Sequence, residues 1–277
     1  MKDQFDHLLS SSFNLYLEHK LLKEGEAYTN TTGELFQSDQ NQVNGVNYSN
    51  SPVSQWVYDS SVDGAIVPTG VFLGPDAFVG RGISGVSLNF LGGGAYHSGN
   101  YSVSGAYAKK DFNFYFMPEE DAELLLETAF SSKDPLTAIN ESKNYNVNAP
   151  CIIVNSKDSK NDPFAFGGMD ETNSHYQAVI ITNNNYHKDG AMSIFRDLNE
   201  TCFPVIDSAD VPFNSMGDLK TGLFNYEDLY LKYPNSNQYA TVDRVTVQGV
   251  RQRSEGRKNF YLAYAEFRLL SYRFPRV

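Results

Sequence analysis

The spacing of hydrophobic and polar residues changes several times between residues 148 and 207, and each change marks a separate element. The apolar run from Cys151 to Val154 predicts a buried strand, and the polar residues 155–163 predict a turn behind it. A β-branched run at 175–182 predicts a second strand. From Asp189 to Cys202 the apolar residues recur at helical spacing, and this places Cys202 on the apolar face of a helix. Two strands followed by a helix predict the core of a small α/β or α+β unit.

The first 26 residues show helical periodicity again. Their apolar residues recur three and four positions apart: Phe5, Leu8, Leu9, Phe13, Tyr16, Leu17, Leu21 and Leu22. Asp6 lies near the start and Lys23 near the end, which complements the helix dipole, and Gly25 follows as a C-terminal stop. The pattern predicts an amphipathic helix that packs on its own domain or on a neighbouring subunit.

Residues 27–116 alternate on a shorter period. The polar stretch 27–50 predicts a loop that contains one short hairpin. Beyond it, short apolar runs are separated by glycine-rich turns, and they lie at residues 55–58, 65–67, 70–73, 86–91, 101–104 and 112–116. Short strands at such spacing are typical of an antiparallel β-sandwich or barrel module.

Residues 117–277 predict a C-terminal unit of helices and strands. A proline in the first turn and the acidic residues after it predict a helix over 117–130, and a short helix is predicted near 226–233. Alternating residues at 241–247 and 260–268 predict a closing β-hairpin. The chain is therefore predicted to be α+β, with three parts: an N-terminal helix in 1–26, a β-rich module in 27–116 and an α/β unit in 117–277.

Charge is distributed unevenly along the chain. A net charge of −11 argues against a general nucleic-acid binder, whose surface would be basic. The end of the chain reverses the sign, with seven basic residues after position 250: Arg251, Arg253, Arg257, Lys258, Arg268, Arg273 and Arg276. The predicted hairpin turn carries four of them, Arg251, Arg253, Arg257 and Lys258. This basic cluster is either a docking surface for an acidic partner or a solvated tip.

The sequence gives little support for a catalytic motif or a cofactor-binding motif. Gly80–Gly85 matches the dinucleotide fingerprint G-x-G-x-x-G, but the following residues predict a strand and not the helix that the fingerprint needs. The five histidines lie far apart, without the spacing of metal ligands. The oxygen-rich segment 158–162 lacks the glycine and the terminal glutamate of a calcium loop. We therefore expect no cofactor, no metal site and no enzymatic activity.

Cys151 and Cys202 are expected to remain free thiols, because a buried cysteine behaves as a small hydrophobic residue. The first residues contain no uninterrupted apolar segment of a secretory signal, and no apolar run approaches the ~20 residues of a membrane span. We expect a soluble protein that is made in a reducing cytoplasm.

Six segments carry a resemblance to virion proteins of marine and freshwater tailed phages. They are SPVSQWVYDS at 51–60, SGVSLNF at 84–90, DFNFY at 111–115, APCIIV at 149–154, PFAFGG at 163–168 and DGAMSIFRD at 189–197. The order of the predicted elements is also similar to that of tail-terminator and neck proteins, which place two strands and an amphipathic helix on one face of a sheet.

The resemblance implies a structural subunit that forms a ring near the head–tail junction and holds no cofactor. Its implied partners are copies of itself and other virion proteins of the neck or tail, with DNA passing through without sequence recognition and no membrane. It would be assembled in the host cytoplasm and remain in the virion. Two other classes stay open. One is a carbohydrate- or receptor-binding virion module that uses its many Tyr residues and Trp56 for stacking, and the other is a hydrolase with dispersed acids.

Overall fold

The structure, a computed structural model, describes residues 5–37, 46–49, 55–68, 71–73, 76–78, 83–89, 92–97, 102–116, 150–165, 168–207, 209–212, 224–232, 239–250 and 261–274. The fold is α+β, which confirms the predicted class. The chain divides into two compact units. Unit 1 comprises Met1–Gly25, Phe114–Asp210 and Asp228–Val277, and unit 2 comprises Glu26–Asn113 and Val211–Glu227. The N-terminal helix therefore belongs to the same unit as the C-terminal strands.

The elements within the described residues are named in chain order. The helices are α1 (Phe5–Gly25), α2 (Asn185–Asp197) and α3 (Tyr226–Lys232). The strands are β1 (Tyr28–Gln37), β2 (Val46–Ser49), β3 (Val71–Leu73), β4 (Asp76–Phe78), β5 (Ile83–Asn89), β6 (Gly92–His97), β7 (Val103–Lys110), β8 (Asn113–Phe116), β9 (Cys151–Ala165), β10 (Met169–Thr182), β11 (Thr201–Pro204), β12 (Tyr239–Val250) and β13 (Tyr261–Arg273).

Unit 1 is built on a six-stranded sheet with the strand order β11-β12-β13-β10-β9-β8. Its inner strands are long. β9 has 15 residues and β10 has 14, whereas an average strand has roughly 5–6. β12 and β13 pair antiparallel from Ala240 opposite Ser271 to Val250 opposite Leu262. This pairing confirms the strands of the predicted C-terminal hairpin.

The predicted turn at 155–163 is wrong, because β9 continues through it. The polar residues there form cross-strand contacts with β10. Ser159 Oγ lies 3.0 Å from Ser174 Oγ, and Thr172 Oγ1 donates to Asn161 Oδ1 at 2.8 Å. Pairing with a neighbouring strand satisfies the backbone whatever the polarity of the side chains. A polar composition therefore did not require a turn.

The helix predicted at the N-terminus is confirmed as α1, but its burial is not confined to one face. Ser12 and Glu18 are buried together with the apolar residues. Ser12 Oγ donates to the carbonyl of Leu8 at 2.6 Å and accepts from the amide of Ile206 at 2.8 Å. These two hydrogen bonds offset the desolvation penalty of the buried hydroxyl. The left-handed backbone that ends the helix is adopted by Glu26, with φ of 46°, one residue after the predicted Gly25.

Helix α2 begins earlier and ends earlier than the predicted 189–202. Asn184 caps it, since its side chain accepts a hydrogen bond from the amide of Tyr186 at 2.9 Å. Glu200 takes a left-handed backbone with φ of 63° after the last turn. Cys202 consequently lies in β11 and is exposed, which corrects its predicted place on a helix, while Cys151 is buried. Both cysteines are free, as expected.

Unit 2 is built on a seven-stranded sheet with the strand order β4-β3-β7-β1-β2-β6-β5, and its pairs are antiparallel. β1 pairs with β7 from Tyr28 opposite Lys110 onward. Most of the loop predicted for 27–50 is therefore strand. The short hairpin expected within that stretch corresponds to β1 and β2, which pair at Phe36 opposite Ser49.

Three further predictions for unit 2 are corrected. Residues 55–58 and 65–67 do not form strands. Trp56 makes only an isolated bridge to Lys109, and its side chain is 1% exposed. The first of these runs is buried and lies beside β7, with hydrogen bonds from the Val57 amide to the Ala108 carbonyl and from the Lys110 amide to the Gln55 carbonyl. Gly92–Gly94 lie in the glycine-rich turn predicted after the run 86–91, but they open β6, because all three residues pair with β5.

The short helix α3 confirms the prediction for 226–233. Asn225 Oδ1 accepts a hydrogen bond from the amide of Glu227 at 3.0 Å, and Asp59 Oδ1 accepts one from the amide of Tyr226 at 3.0 Å. Two side-chain acceptors thus satisfy the first donors of the helix. The helix predicted for 117–130 lies outside the described residues.

Raising the pH above 10 should destabilise unit 1 through Tyr16. Burial raises the pKa of its hydroxyl from 10.0 to about 12, against the opposing effect of its hydrogen bond to Thr201 Oγ1. Between these values the unfolded chain releases the proton while the folded chain keeps it. The free energy of unfolding should therefore fall with rising pH, by up to about 2–3 kcal/mol in total.

Urea unfolding measured from about pH 9 to pH 12 checks this. The Tyr16→Phe variant lacks the hydroxyl, so its free energy of unfolding should fall less steeply over the same range. An equally steep fall in both proteins would contradict the assignment to Tyr16.

Candidate functional site

The sheet of unit 1 has one face covered by helices. Phe13 of α1 lies against Tyr176 and Phe267, with ring centroids 5.1 Å apart in both pairs. Phe195 of α2 contacts the same Phe267 at 5.6 Å. Residues directly opposite each other in antiparallel strands share a face, so the register assigns every other side chain to the opposite side. We call that opposite side, on which α1 and α2 do not pack, the open face.

The part of the open face nearest the start of β9 is apolar and buried. It is formed by Tyr115, Cys151, Ile153, Val179, Ile181 and Leu262, with Tyr264 packed against them. Burial raises the pKa of the Cys151 thiol to about 12. A thiol that stays protonated is a poor nucleophile. Cys151 therefore acts as a packing residue.

Farther along the strands the open face becomes polar. Asp158, His175, Arg268 and Arg244 lie directly opposite one another on β9, β10, β13 and β12. His175 Nδ1 lies 2.7 Å from Asp158 Oδ1, and Arg268 Nε donates to Asn173 Oδ1 at 3.0 Å. Exposed pairs of this kind contribute little to folding, roughly 0–1 kcal/mol. Their chemistry is suited to polar recognition.

Three aromatic side chains are exposed where β9 and β13 end, and we call them the aromatic end: Phe164, Tyr272 and Phe274. Their exposed fractions are 56%, 40% and 61%, and the rings of Phe164 and Tyr272 lie 4.6 Å apart. Partial desolvation, followed by repulsion from the Glu171 carboxylate and a hydrogen bond to it, raises the pKa of the Tyr272 hydroxyl. Large apolar groups that remain in water next to one another mark interaction sites.

The edge of the sheet beside the aromatic end is also exposed. All residues from 156 to 161 on β9 are exposed to solvent. β8, the strand beyond β9, is only four residues long. Its Tyr115 lies with Cys151 and Ile153, so β8 runs along the beginning of β9. Among the described strands, the later residues of β9 therefore have β10 as their single neighbour.

These features support recognition of another molecule by the sheet. His175 and Asp158 form a solvent-exposed contact, and their side chains are 49% and 71% exposed. In the part of the chain that the structure describes, no three His, Cys, Asp or Glu side chains are grouped to hold a metal ion. The segment 158–162, weighed as a calcium loop, is part of the extended strand β9.

The sequence indicated three other groups of residues as candidates for a functional site. Arg251, Arg253, Arg257 and Lys258 fall in 251–260, outside the described residues. Trp56, considered for stacking on a sugar, is buried against Tyr107 with ring centroids 4.4 Å apart, so it is not available to a ligand. Of the glycine-rich fingerprint, the described residues from Ile83 belong to β5, which agrees with its rejection as a dinucleotide site.

The sequence predicted neither the aromatic end nor the exposed edge. Phe164 and Tyr272 are brought together by the shared pairing of β9 and β13 with β10. The signal that could have indicated the edge is Pro163, because a proline within a strand is tolerated chiefly at a sheet edge.

No protein-family model and no curated protein sequence matches this chain. Within the described ranges, no helix combines the length and the apolar character needed to cross a membrane.

Proposed function

We propose that this protein is a structural subunit of a tailed-phage particle that forms a homo-oligomeric ring as a neck or tail-completion protein at the head–tail junction. Its partners would be copies of itself and neighbouring virion proteins, and it would act without catalysis or a cofactor. It would be assembled in the host cytoplasm and then remain in the virion.

The observation that carries the proposal is the aromatic end. Phe164, Tyr272 and Phe274 expose three large rings on the long-stranded sheet of unit 1. Keeping such rings in water is unfavourable, and a neighbouring protein surface would remove them from it. Aromatic residues are also enriched at the centres of protein interfaces. The resemblance of the sequence to virion proteins suggests which kind of assembly the interface serves.

The length of the strands is a second reason for the proposed assembly. β9, β10 and β13 each extend over 13 to 15 residues. The part of β9 from 156 to 161 is exposed, so a neighbouring subunit could reach it. A rigid strand pair holds contact residues in a fixed geometry, which reduces the entropy lost on association.

Native mass spectrometry of the full chain tests the proposal. We expect the parent to form a closed oligomer or to co-assemble with a portal or tail-tube protein. Replacing Phe164, Tyr272 and Phe274 with serine should remove this assembly, while the melting temperature changes little because all three side chains are exposed.

Tyr186→Ser is the matched control, because Tyr186 is 80% exposed at the start of α2, which follows Thr182 at the end of β10 opposite to the aromatic end. It should assemble like the parent. A parent protein that stays monomeric at all concentrations and binds neither virion partner would overturn the proposal.

A second candidate is a carbohydrate- or receptor-binding virion module. The observation in its favour is the exposed ring of Tyr272 beside the Glu171 carboxylate, since sugars stack on aromatic rings and donate hydrogen bonds to carboxylates. A monomer that retains glycans on an array, and loses them in Tyr272→Ser, would favour this candidate over the first.

A further inference from the structure

The exposed edge of β9 has two natural limits. A register shift between His175 and Tyr176 leaves Lys157 as an extra residue on β9 at one side. At the other side, Pro163 has no amide hydrogen to offer a new strand. Between them, β9 pairs regularly with β10 from Asp158 opposite His175 to Asp162 opposite Glu171. On the outer side of this segment, backbone donors and acceptors face away from β10.

The charges along this edge are complementary to those of a second copy of the same segment in the antiparallel orientation. In an antiparallel pair of two copies centred on Ser159, Asp158 of each copy lies directly opposite Lys160 of the other. The Asp158 side chain is 71% exposed and the Lys160 side chain is 76% exposed, so both can reach a neighbour. Centring the pair on Lys160 instead would place Asp158 opposite Asp162 twice and Lys160 opposite itself. Opposite charges stabilise a cross-strand pair and like charges destabilise it.

We infer that two copies of this chain associate edge to edge through β9, antiparallel and centred on Ser159, so that two six-stranded sheets become one continuous sheet. The inference rests on the proposed function in that it names a self-contact of the structural subunit. Such a contact is two-fold symmetric and closes on itself. In a ring it would join subunits in pairs, or join two rings, in addition to the head-to-tail contacts.

A second copy fits this edge better than an unrelated extended peptide. An arbitrary peptide would gain the backbone hydrogen bonds of an added strand, but it would lack the reciprocal placement of Asp158 and Lys160. Two copies gain both pairs simultaneously from a single register.

Position-specific cross-linking tests the register. In a Cys202→Ser background, which removes the exposed thiol, Ser159→Cys places two thiols directly opposite each other across the symmetry axis. Their Cα atoms would lie about 4.5–5.5 Å apart, within disulfide range. Asp162→Cys on the same strand would place its two thiols about 20 Å apart. Under diamide, we expect the cross-linked dimer to form about tenfold more readily with Cys at 159.

Charge exchange tests the same pairs without covalent chemistry. Asp158→Lys alone and Lys160→Asp alone each create two like-charge pairs and should weaken the self-association constant by about tenfold. An equimolar mixture of the two variants restores opposite charges at both pairs, so a heterodimer should form at low salt. Asp189→Lys, an exposed acid on α2, is the matched control and should leave self-association unchanged.

The outcomes separate this inference from the proposed function. Equal cross-linking at 159 and 162, or no recovery in the mixture of charge variants, would overturn the β9 pairing even if the parent forms a ring. Cross-linking confined to 159 together with recovery in the mixture supports the pairing. A parent that forms this pair but no larger assembly and binds no virion partner would retain the inference and reject the neck assignment.

Discussion

Replacing Phe13 with alanine should destabilise unit 1 by about 3–5 kcal/mol, the range measured for buried Phe→Ala changes. Phe13 is fully buried, with an exposed fraction of 0%. Its ring lies 5.1 Å from those of Tyr176 and Phe267 and 5.5 Å from that of Phe203. The ring of Phe13 on α1 therefore contacts side chains of β10, β11 and β13. Its removal would leave a cavity among these rings.

Hydrogen exchange is the appropriate measurement, because two compact units need not unfold in one step. Protection should fall at amides of β10 and β13 in Phe13→Ala, while amides of β1 and β7 in unit 2 should change less. Phe164→Ala is the matched control: the same chemical change at a side chain that is 56% exposed should cost less than about 1 kcal/mol. Equal losses of stability in the two variants would show that Phe13 is not central to the core.

Elements whose own residues determine their structure were predictable from the sequence. Helix α1 combines apolar residues at helical spacing with Asp6 and Lys23 at the favourable ends, and the structure confirms it. The short helix α3 follows its cap, Asn225. Local periodicity and capping act within a few residues, so a single sequence is sufficient to reveal them.

Elements determined by a distant partner were not predictable in the same way. The polar half of β9 is extended because β10 lies beside it, with Asn161 and Ser159 contacting Thr172 and Ser174. Its residues are polar on both faces, so no alternation distinguishes it from a turn. The predicted start of α2, Asp189, lies after the observed start, Asn185, for a related reason. Its first turn is mostly polar, and the helical apolar pattern begins only at Ala191.

The candidate site shows the same limit. Phe164 and Tyr272 are 108 positions apart, and their contact depends on the register of both β9 and β13 against β10. Pattern analysis could indicate that aromatic residues were abundant, but it could not indicate which of them would remain exposed together. Trp56 illustrates the converse, because a residue considered for ligand stacking is buried within unit 2.

Replacing Asp59 with alanine should have a comparably large effect on unit 2. Asp59 is 3% exposed. Its Oδ1 accepts hydrogen bonds from the Ser61 amide at 3.0 Å, the Ser61 hydroxyl at 2.6 Å and the Tyr226 amide at 3.0 Å. Asp59 also forms an isolated bridge with Phe224, which brings the segment before α3 alongside residues 59–61. One carboxylate oxygen therefore connects two segments that are distant in sequence.

Alanine at position 59 would leave these buried donors without their acceptor. An unsatisfied buried donor costs about 1–3 kcal/mol, so we expect Asp59→Ala to destabilise unit 2 by about 3–5 kcal/mol. Asp59→Asn keeps a carbonyl oxygen at the same place but loses the charge that strengthens the bonds, so its cost should be smaller, about 1–2 kcal/mol. The order Ala, then Asn, then parent is the signature of a hydrogen-bond hub, since loss of side-chain volume alone would leave Asn close to the parent.

Hydrogen exchange at the Tyr226 amide measures the effect where it arises, and urea unfolding gives its size. Asp63→Ala removes an acid from an exposed position nearby and should change neither measurement appreciably. If Asp59→Ala and Asp63→Ala proved equally stable, the three hydrogen bonds to Asp59 would not hold the segment before α3. If instead protection at Tyr226 collapses in Asp59→Ala and is partly retained in Asp59→Asn, then a single buried carboxylate fixes the start of α3 against residues 59–61, because no apolar contact would respond to the charge.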